Sequence, residues 1–318
     1  MKKSMKLVLS AALLGLALAG CGKASLTVDD HHLTPNGMAA TIKGRSNQKQ
    51  VHYTINGGAQ QSKTTSNGGY SITLPAKSYQ QTVKLTTAGQ HQTVTVAKTG
   101  KLISYQKFQT AYNQALAFTK LSAADQKTAT QLSSQAAALK QEQASITAKV
   151  AAAKAKLKAG DTSASATLQT EAAKATQLKA SAAKLQQTQA ALAPKMKQAQ
   201  QQVKSQTLPT TAKSGISNLS TTSGNTLRAN VQNGQVIGLT LMVPTSALKN
   251  KADAKTFITS FSLLATSVGA NAKHVLKAFS DKANKKNTSQ TTTSTIHSNG
   301  LSFDLGYSTS TLYIYVTK

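Results

Sequence analysis

The sequence predicts a multidomain α+β protein in three parts. These are a small β-sandwich, a long antiparallel helical hairpin of coiled-coil type, and a C-terminal α+β domain with an antiparallel sheet. Three observations predict it. Short alternating segments separated by Asn-Gly-Gly turns fill residues 26–98. Residues 102–206 hold one glycine, Gly160, and one proline, Pro194, in a run rich in Ala, Gln, Lys, Thr and Leu. Over 215–318, two strand patterns, helical patterns and three more strand patterns follow in that order. A chain of 318 residues has room for such a division.

In the first part, Ser25-Leu26-Thr27-Val28 opens the strand pattern, and Met38 to Ile42 and Val51 to Ile55 alternate apolar and polar residues. Asn56-Gly57-Gly58 and Asn67-Gly68-Gly69 are turns, the second leading into Tyr70 to Pro75. Val83-Lys84-Leu85, Ala88-Gly89 and Val94-Thr95-Val96 complete a set of about six short strands, the pattern of a small sandwich.

The second part repeats by sevens. Leu132, Leu139, Ile146 and Ala153 form one apolar series, interleaved with Ala136, Gln143, Val150 and Leu157. Beyond Gly160-Asp161-Thr162-Ser163, one series is Leu178, Leu185, Leu192 and Ala199. The other is Leu168, Ala175, Ala182, Gln189, Met196 and Val203. Gly160 suits a helix C-terminus, with Asp161 or Ser163 as the next N-cap, so the two seams fold back as a hairpin. Ser122 followed by Asp125 reads as the N-cap of an arm roughly 55 Å long at about 1.5 Å per residue. Tyr105, Phe108 and Tyr112 then belong to a shorter preceding helix that packs on a neighbouring domain. Pro194 is expected to kink the return helix.

In the third part, Leu227 to Val231 and Val236 to Val243 flank Asn233-Gly234, a hairpin signal. Asp253 to Val268 reads as a helix with Phe257, Phe261 and Leu264 on one face, and Asn271 caps a second. Lys285 to Thr292 is a polar loop. Thr293 to His297, Leu301 to Tyr307 and Thr311 to Thr317 form a meander, with helices expected on one face of the sheet.

The chain starts with Lys2, Lys3 and Lys6, then an apolar run from Leu7 to Ala19, and then Leu18-Ala19-Gly20-Cys21 around its one cysteine. The run is too short to span a bilayer, which needs about 20 apolar residues, and it has the layout of an export signal. The stretch resembles the lipobox of bacterial lipoproteins. That resemblance implies recognition of Leu18, Ala19 and Gly20 by a signal peptidase, and lipidation of Cys21. The two acyl chains of a diacylglyceryl group would anchor stably where one would not. The expected division is therefore 1–20 signal peptide, 21–25 lipidated N-terminus and linker, 26–98 sandwich, 102–206 hairpin and 215–318 α+β domain. Residues 26–98 also resemble bacterial immunoglobulin-like modules of surface proteins. The overall composition resembles lactobacillus-type surface lipoproteins of Gram-positive bacteria, placing the protein on the outer face of the cell membrane.

Charge points to a partner class. Thirty-seven basic residues face nine acidic ones, a net charge of +28, and Arg45 and Arg228 are the only arginines. Lysine is a hydrated point charge, suited to diffuse attraction to a polyanion rather than to base-specific readout. Glu142 and Glu171 are the only glutamates, so the Glu–Lys pairs that usually flank a coiled coil are expected to be missing. Lys140, Lys154 and Lys179 fall at one position bordering the seam, and Lys149, Lys156, Lys174 and Lys195 at the other. These seven are the candidate contacts for teichoic acid or another anionic envelope polymer. Nucleic acid ranks behind wall polymers, because no aromatic platform interleaves with the lysines.

Few side chains fall into a pattern that supports chemistry. A single cysteine excludes a disulfide framework and a thiolate zinc site. His31, His32, His52, His91, His274 and His297 show no metal-binding helical spacing. Asp29-Asp30-His31-His32 is the one local cluster of ligand types, read as part of an exposed linker. The chain has no G-x-S-x-G elbow and no phosphate-cradling G-x-x-x-x-G-K-[ST]. The expectation is a non-enzymatic surface lipoprotein without cofactor or metal, used for binding or scaffolding in the envelope. The alternative is a solute-binding or ligand-presenting receptor that uses the C-terminal domain.

Overall fold

A computed structural model describes residues 23–248, 251–283 and 295–318. Leu18, Ala19, Gly20 and Cys21 lie outside the described residues, as do Lys285 to Thr292.

The first unit has eight strands: β1 Leu26–Val28, β2 His32–Leu33, β3 Ala39–Ser46, β4 Gln50–Ile55, β5 Gln61–Thr64, β6 Gly69–Pro75, β7 Gln81–Thr87 and β8 Gln90–Val96. They form one sheet ordered β1-β3-β6 and another ordered β2-β8-β7-β4-β5. Ala40, Ile42, Ile72 and Leu74 of the first meet Val51, Val83, Leu85 and Val94 of the second in one buried core. The alternation that predicted these strands is the alternation of core and solvent faces. Asn56, Gly57, Asn67 and Gly68 all take positive φ, as hairpin turns of the primed types require.

Two strands here were not anticipated, and the physical reason is visible in each. β5 is an edge strand, Gln-Ser-Lys-Thr, exposed along its whole length, so it carries no apolar alternation. β2 is two residues long and runs parallel to β8. The segment expected as a linker is therefore tied down: His31 Nδ1 lies 2.8 Å from the Thr93 carbonyl, and the His32 amide donates to Asp30 Oδ1 at 2.8 Å.

Strand β9, Ile103–Ser104, leads into α1, Tyr105–Phe118, then α2, Ala123–Lys158, and α3, Ala164–Gln202. Ser122 caps α2 by accepting from the Asp125 amide at 3.1 Å. Gly160, at φ +93°, ends that helix, and Asp161 Oδ1 accepts from the Ser163 amide at 3.0 Å ahead of α3. Pro194 stands inside α3, which continues through it to Gln202.

The last unit contains β10 Gly215–Thr222, β11 Asn225–Gln232, β12 Gln235–Pro244, α4 Lys251–Ser267, α5 Ala272–Ala283, β13 Ile296–Ser298, β14 Leu301–Tyr307 and β15 Thr311–Thr317. Its sheet is antiparallel in the order β10-β11-β12-β15-β14-β13, and β9 pairs with the start of β12. β10 is the strand the sequence concealed, because its Ser-, Thr- and Asn-rich edge shows no period. Asn271 Oδ1 accepts from the His274 amide at 3.0 Å and so caps α5.

One core runs through this unit and into the helical segment. Tyr105, Phe108, Tyr112, Leu116, Ala199, Val203 and Leu208 pack with Leu239, Phe261, Phe303 and Ile314. Residues 102–121 thus share a core with the described residues of 199–318, and the α2–α3 arm leaves from it and returns to it. On the opposite face of the sheet sits the sandwich. Asn230 Nδ2 and Gln232 Nε2 donate to the Ala76 carbonyl at 2.9 and 3.0 Å, and the Ser78 amide donates to Gln232 Oε1 at 3.0 Å. Gly37, at φ +63°, lets the loop lie against the Tyr315 ring; a Cβ there would be 2.7 Å from Tyr315 Cδ1.

Candidate functional site: the helical arm

The arm consists of 36- and 39-residue helices, about 54 and 58 Å long at ~1.5 Å per residue. Helices this long in water are held by packing of an apolar face rather than by propensity. That face is thin. Leu132, Ile146 and Ala153 are buried on α2, as are Ala164, Leu178 and Ala199 on α3. Leu139, Val150, Leu157, Leu168, Leu185, Leu192 and Met196 are half-buried, while Gln143, Ala182 and Gln189 of the expected seam are exposed.

The seam contains a residue that sequence reasoning missed. Glu171 lies one heptad before Leu178 and one after Ala164, and is 3% exposed. It was overlooked because the apolar series appeared to begin at Leu178. Lys174 Nζ donates to Glu171 Oε1 at 2.8 Å, and Lys149 Nζ is 3.9 Å from the same oxygen. At the base of the arm, Lys195 pairs with Asp125. That contact, followed by the hydrogen bond from Ser122, holds the Asp125 carboxyl below its usual range. The expected lack of acid–lysine pairs is therefore corrected. Acids are scarce, but both Glu171 and Asp125 lie where the helix register brings lysines to them.

The seven candidate lysines divide accordingly. Lys149, Lys174 and Lys195 are engaged with carboxylates of the arm itself. Lys140, Lys154, Lys156 and Lys179 are exposed and make no ion pair among the described residues. These four are spread over two helices, three on α2 and Lys179 on α3.

A second cationic feature lies on the sandwich. Lys43, Arg45 and Lys63 border an open trough of about 510 Å³ beside Asp29, Thr64 and Ser71. Under it, Tyr70 Oη donates to the Thr27 carbonyl at 2.7 Å. Burial, and secondarily the Asp29 carboxylate, push the Tyr70 phenol up to about 12.

The histidines supply no assembled catalytic group among the described residues. His52 Nδ1 lies 2.7 Å from Ser62 Oγ, but the two are directly opposed cross-strand neighbours on an open sheet edge. His297 and Ser302 are paired in the same way at 3.3 Å. No carboxylate hydrogen-bonds either ring among the described residues. Nor, among those residues, do three His, Cys, Asp or Glu side chains converge to hold a metal. No described helix is long and apolar enough to cross a membrane.

No protein family matches the chain by sequence, and no curated protein is similar to it. Part of the structure is similar to an FMN-binding beta-glucuronidase from Facaelibacterium prausnitzii L2-6, at 14% identity and a TM-score of 0.21. The match covers 24% of this chain and 12% of that one. A Br derivative of BhCBM56 is similar at 17% identity and a TM-score of 0.16, over 24% of this chain and 91% of that one. Likenesses this partial carry no argument about function.

Proposed function

We propose that the chain is a membrane-anchored extracellular lipoprotein, held at the outer face of the membrane through Cys21. Its role is non-enzymatic: binding or scaffolding in the envelope, in contact with anionic wall polymers. The single observation that carries this reading is the population of unpaired cations. Lys140, Lys154, Lys156 and Lys179 stand in solvent on an arm that leaves the body of the protein, in a chain of net charge +28. Exposed lysines that make no close ion pair exchange counterions for a polyanion, so affinity should fall steeply with salt, although Lys156 also feels the Asp161 carboxylate.

The test has two arms. Cys21→Ser should move the protein from the membrane fraction to the medium; retention in the membrane would defeat the anchor. Soluble chain should be retained by isolated cell wall at low salt and released at high salt. Changing Lys140, Lys154, Lys156 and Lys179 to Gln should weaken that retention. Retention unaffected by salt would defeat the polyanion reading.

A further inference from the structure

The chain enters the sandwich beside a cluster of cations. Residues 23–25, expected as part of a linker, are fastened to the end of β3. Asn47 Nδ2 donates to the Lys23 carbonyl at 3.0 Å, and the Ser25 amide donates to Asn47 Oδ1 at 2.9 Å. Ser46 Oγ donates to the Ser25 carbonyl at 2.8 Å. Cys21 precedes Lys23 by two residues. Two residues span at most about 7 Å, so a lipid on Cys21 would hold this end of the sandwich close to the headgroup layer.

The cations gather at the same end. Arg45 and Lys49 each lie two residues from Asn47. Lys63 lies two residues before Thr65, whose amide donates to the Lys49 carbonyl at 3.0 Å. Lys43 and Arg45 share the outer face of β3, with Gly44 buried between them. Ser71 stands opposite Lys43, and Gly69 opposite Arg45, so the cross-strand neighbour of the arginine has no side chain. Lys43, Arg45 and Lys63 border the open trough of about 510 Å³; Thr64, Ser66 and Ser71 supply hydroxyls, and Asp29 is its one acid. Lys23, Lys43, Arg45, Lys49 and Lys63 are all exposed, and none makes an ion pair among the described residues.

This donor set suits a phosphate ester. A guanidinium offers two parallel hydrogen bonds to phosphate oxygens, and lysines add point charge. Phosphate esters occur in wall polymers and in lipid headgroups alike, and the tether chooses between them. Attraction to an anionic membrane falls off within about 8 Å of its surface. The cations that feel it are those held beside the anchor, and Arg45 and Lys49 flank the residue that binds Lys23.

We propose that the Lys43–Arg45–Lys63 trough binds the phosphates of anionic lipid headgroups and seats the anchored protein on the membrane by the β3 end of its sandwich. The choice of lipid over wall polymer rests on the anchor at Cys21.

The test uses a chain beginning at Gly22, which keeps every described residue and carries no lipid. It should sediment with vesicles of equal parts phosphatidylcholine and phosphatidylglycerol at about 0.1 M salt, and not with phosphatidylcholine alone. Each cation at such a surface is worth about fivefold in partitioning, so Lys43→Gln/Arg45→Gln/Lys63→Gln should weaken binding on the order of a hundredfold. Lys140→Gln/Lys154→Gln/Lys179→Gln removes the same charge from the arm and should leave vesicle binding nearly unchanged. Circular dichroism at unchanged amplitude would show that both variants stay folded, all six residues being exposed. No binding to the anionic vesicles overturns the proposal, and so does an equal loss in the two variants. Loss of retention on lipid-free cell wall in the trough variant, as large as its loss on vesicles, overturns the lipid as occupant. Because this chain lacks Cys21, the result is read independently of where Cys21→Ser sends the protein, and failure of the anchor is distinguished from failure of the trough.

Discussion

Lys174 Nζ donates to Glu171 Oε1 at 2.8 Å, while the other oxygen of Glu171, also buried, meets no donor. The carboxylate occupies a core position of the arm, one heptad from Leu178, and is only half compensated. Taking a charge out of water costs several kcal/mol, and one close lysine plus a second at 3.9 Å offset part of it. Replacing a buried ion pair by apolar groups of similar volume is often stabilising, and removing Glu171 alone leaves no buried charge behind, because the Lys149 and Lys174 side chains are 54% and 41% exposed. Glu171→Leu should therefore raise the stability of the arm by about 1–4 kcal/mol, read as a higher thermal midpoint of the helical signal. A lower midpoint would mean that the two lysines more than offset the burial.

Gly44 is demanded by contact rather than by its backbone angles. A Cβ there would collide with the Thr27 carbonyl and lie 2.5 Å from Tyr70 Oη, the two groups that hydrogen-bond from β6 to β1 over β3. Gly44→Ala must push strand β1 or the Tyr70 ring aside. Overpacking of this kind costs about 1–3 kcal/mol. The expected result is a lower denaturant midpoint for the sandwich, with near-ultraviolet tyrosine signal altered while the arm's helical signal is unchanged.

The features legible in the sequence were those written in neighbouring residues. The Asn-Gly turns at Asn56, Asn67 and Asn233 adopt the positive φ that their chemistry favours. Ser122 and Asn271 cap the helices they precede. What was hidden depends on distant partners or on solvated edges. β5 and β10 are polar because they lie at sheet edges, so they leave no apolar period. The joining of β9 to β12 is contact across more than a hundred residues; that Phe108 packs on a neighbouring domain was legible, but not that the neighbour is the C-terminal core. The lysines of the candidate site could be counted in advance. Lys174 meets Glu171 three residues along the same helix, but that Lys149 reaches Glu171 and Lys195 reaches Asp125 depends on how α2 slides along α3, a relation between helices that neither one encodes alone.

The union of the sandwich with the C-terminal sheet rests on a small polar cluster. Gln232 accepts from the Ser78 amide and hydroxyl at 3.0 and 3.2 Å, and donates to the Ala76 carbonyl and to Asn230 Oδ1 at 3.0 and 3.1 Å. Asn230 is fully buried and depends on the same carbonyl. Gln232→Leu keeps the volume but strands these partners, at a cost of about 1–3 kcal/mol. The amide of Ser78 should exchange with deuterium faster in the variant, while amides in the centre of β3 keep their protection. Unchanged exchange at Ser78 would mean that the cluster does not couple the two units.

Alkali should separate a tyrosine effect from the chain's own repulsion. Burial, with Asp29 adding to it, raises the Tyr70 phenol to about 12. Burial also raises Tyr105, Tyr112 and Tyr315. In the unfolded chain these phenols titrate near 10. As pH rises past that value the unfolded state loses protons first, so it binds fewer than the native state and stability falls with pH. The contribution is intact below about pH 10 and is lost on approach to the native value, on the order of 2 kcal/mol from Tyr70. Lysines deprotonate over the same range, and the easing of their mutual repulsion acts in the opposite direction. Tyr70→Phe isolates the first term. It should be less stable than the native chain at neutral pH, having lost the hydrogen bond to the Thr27 carbonyl. Its urea midpoint should then fall less steeply than the native one above about pH 10. Parallel decline of the two midpoints would assign the alkaline loss to other groups.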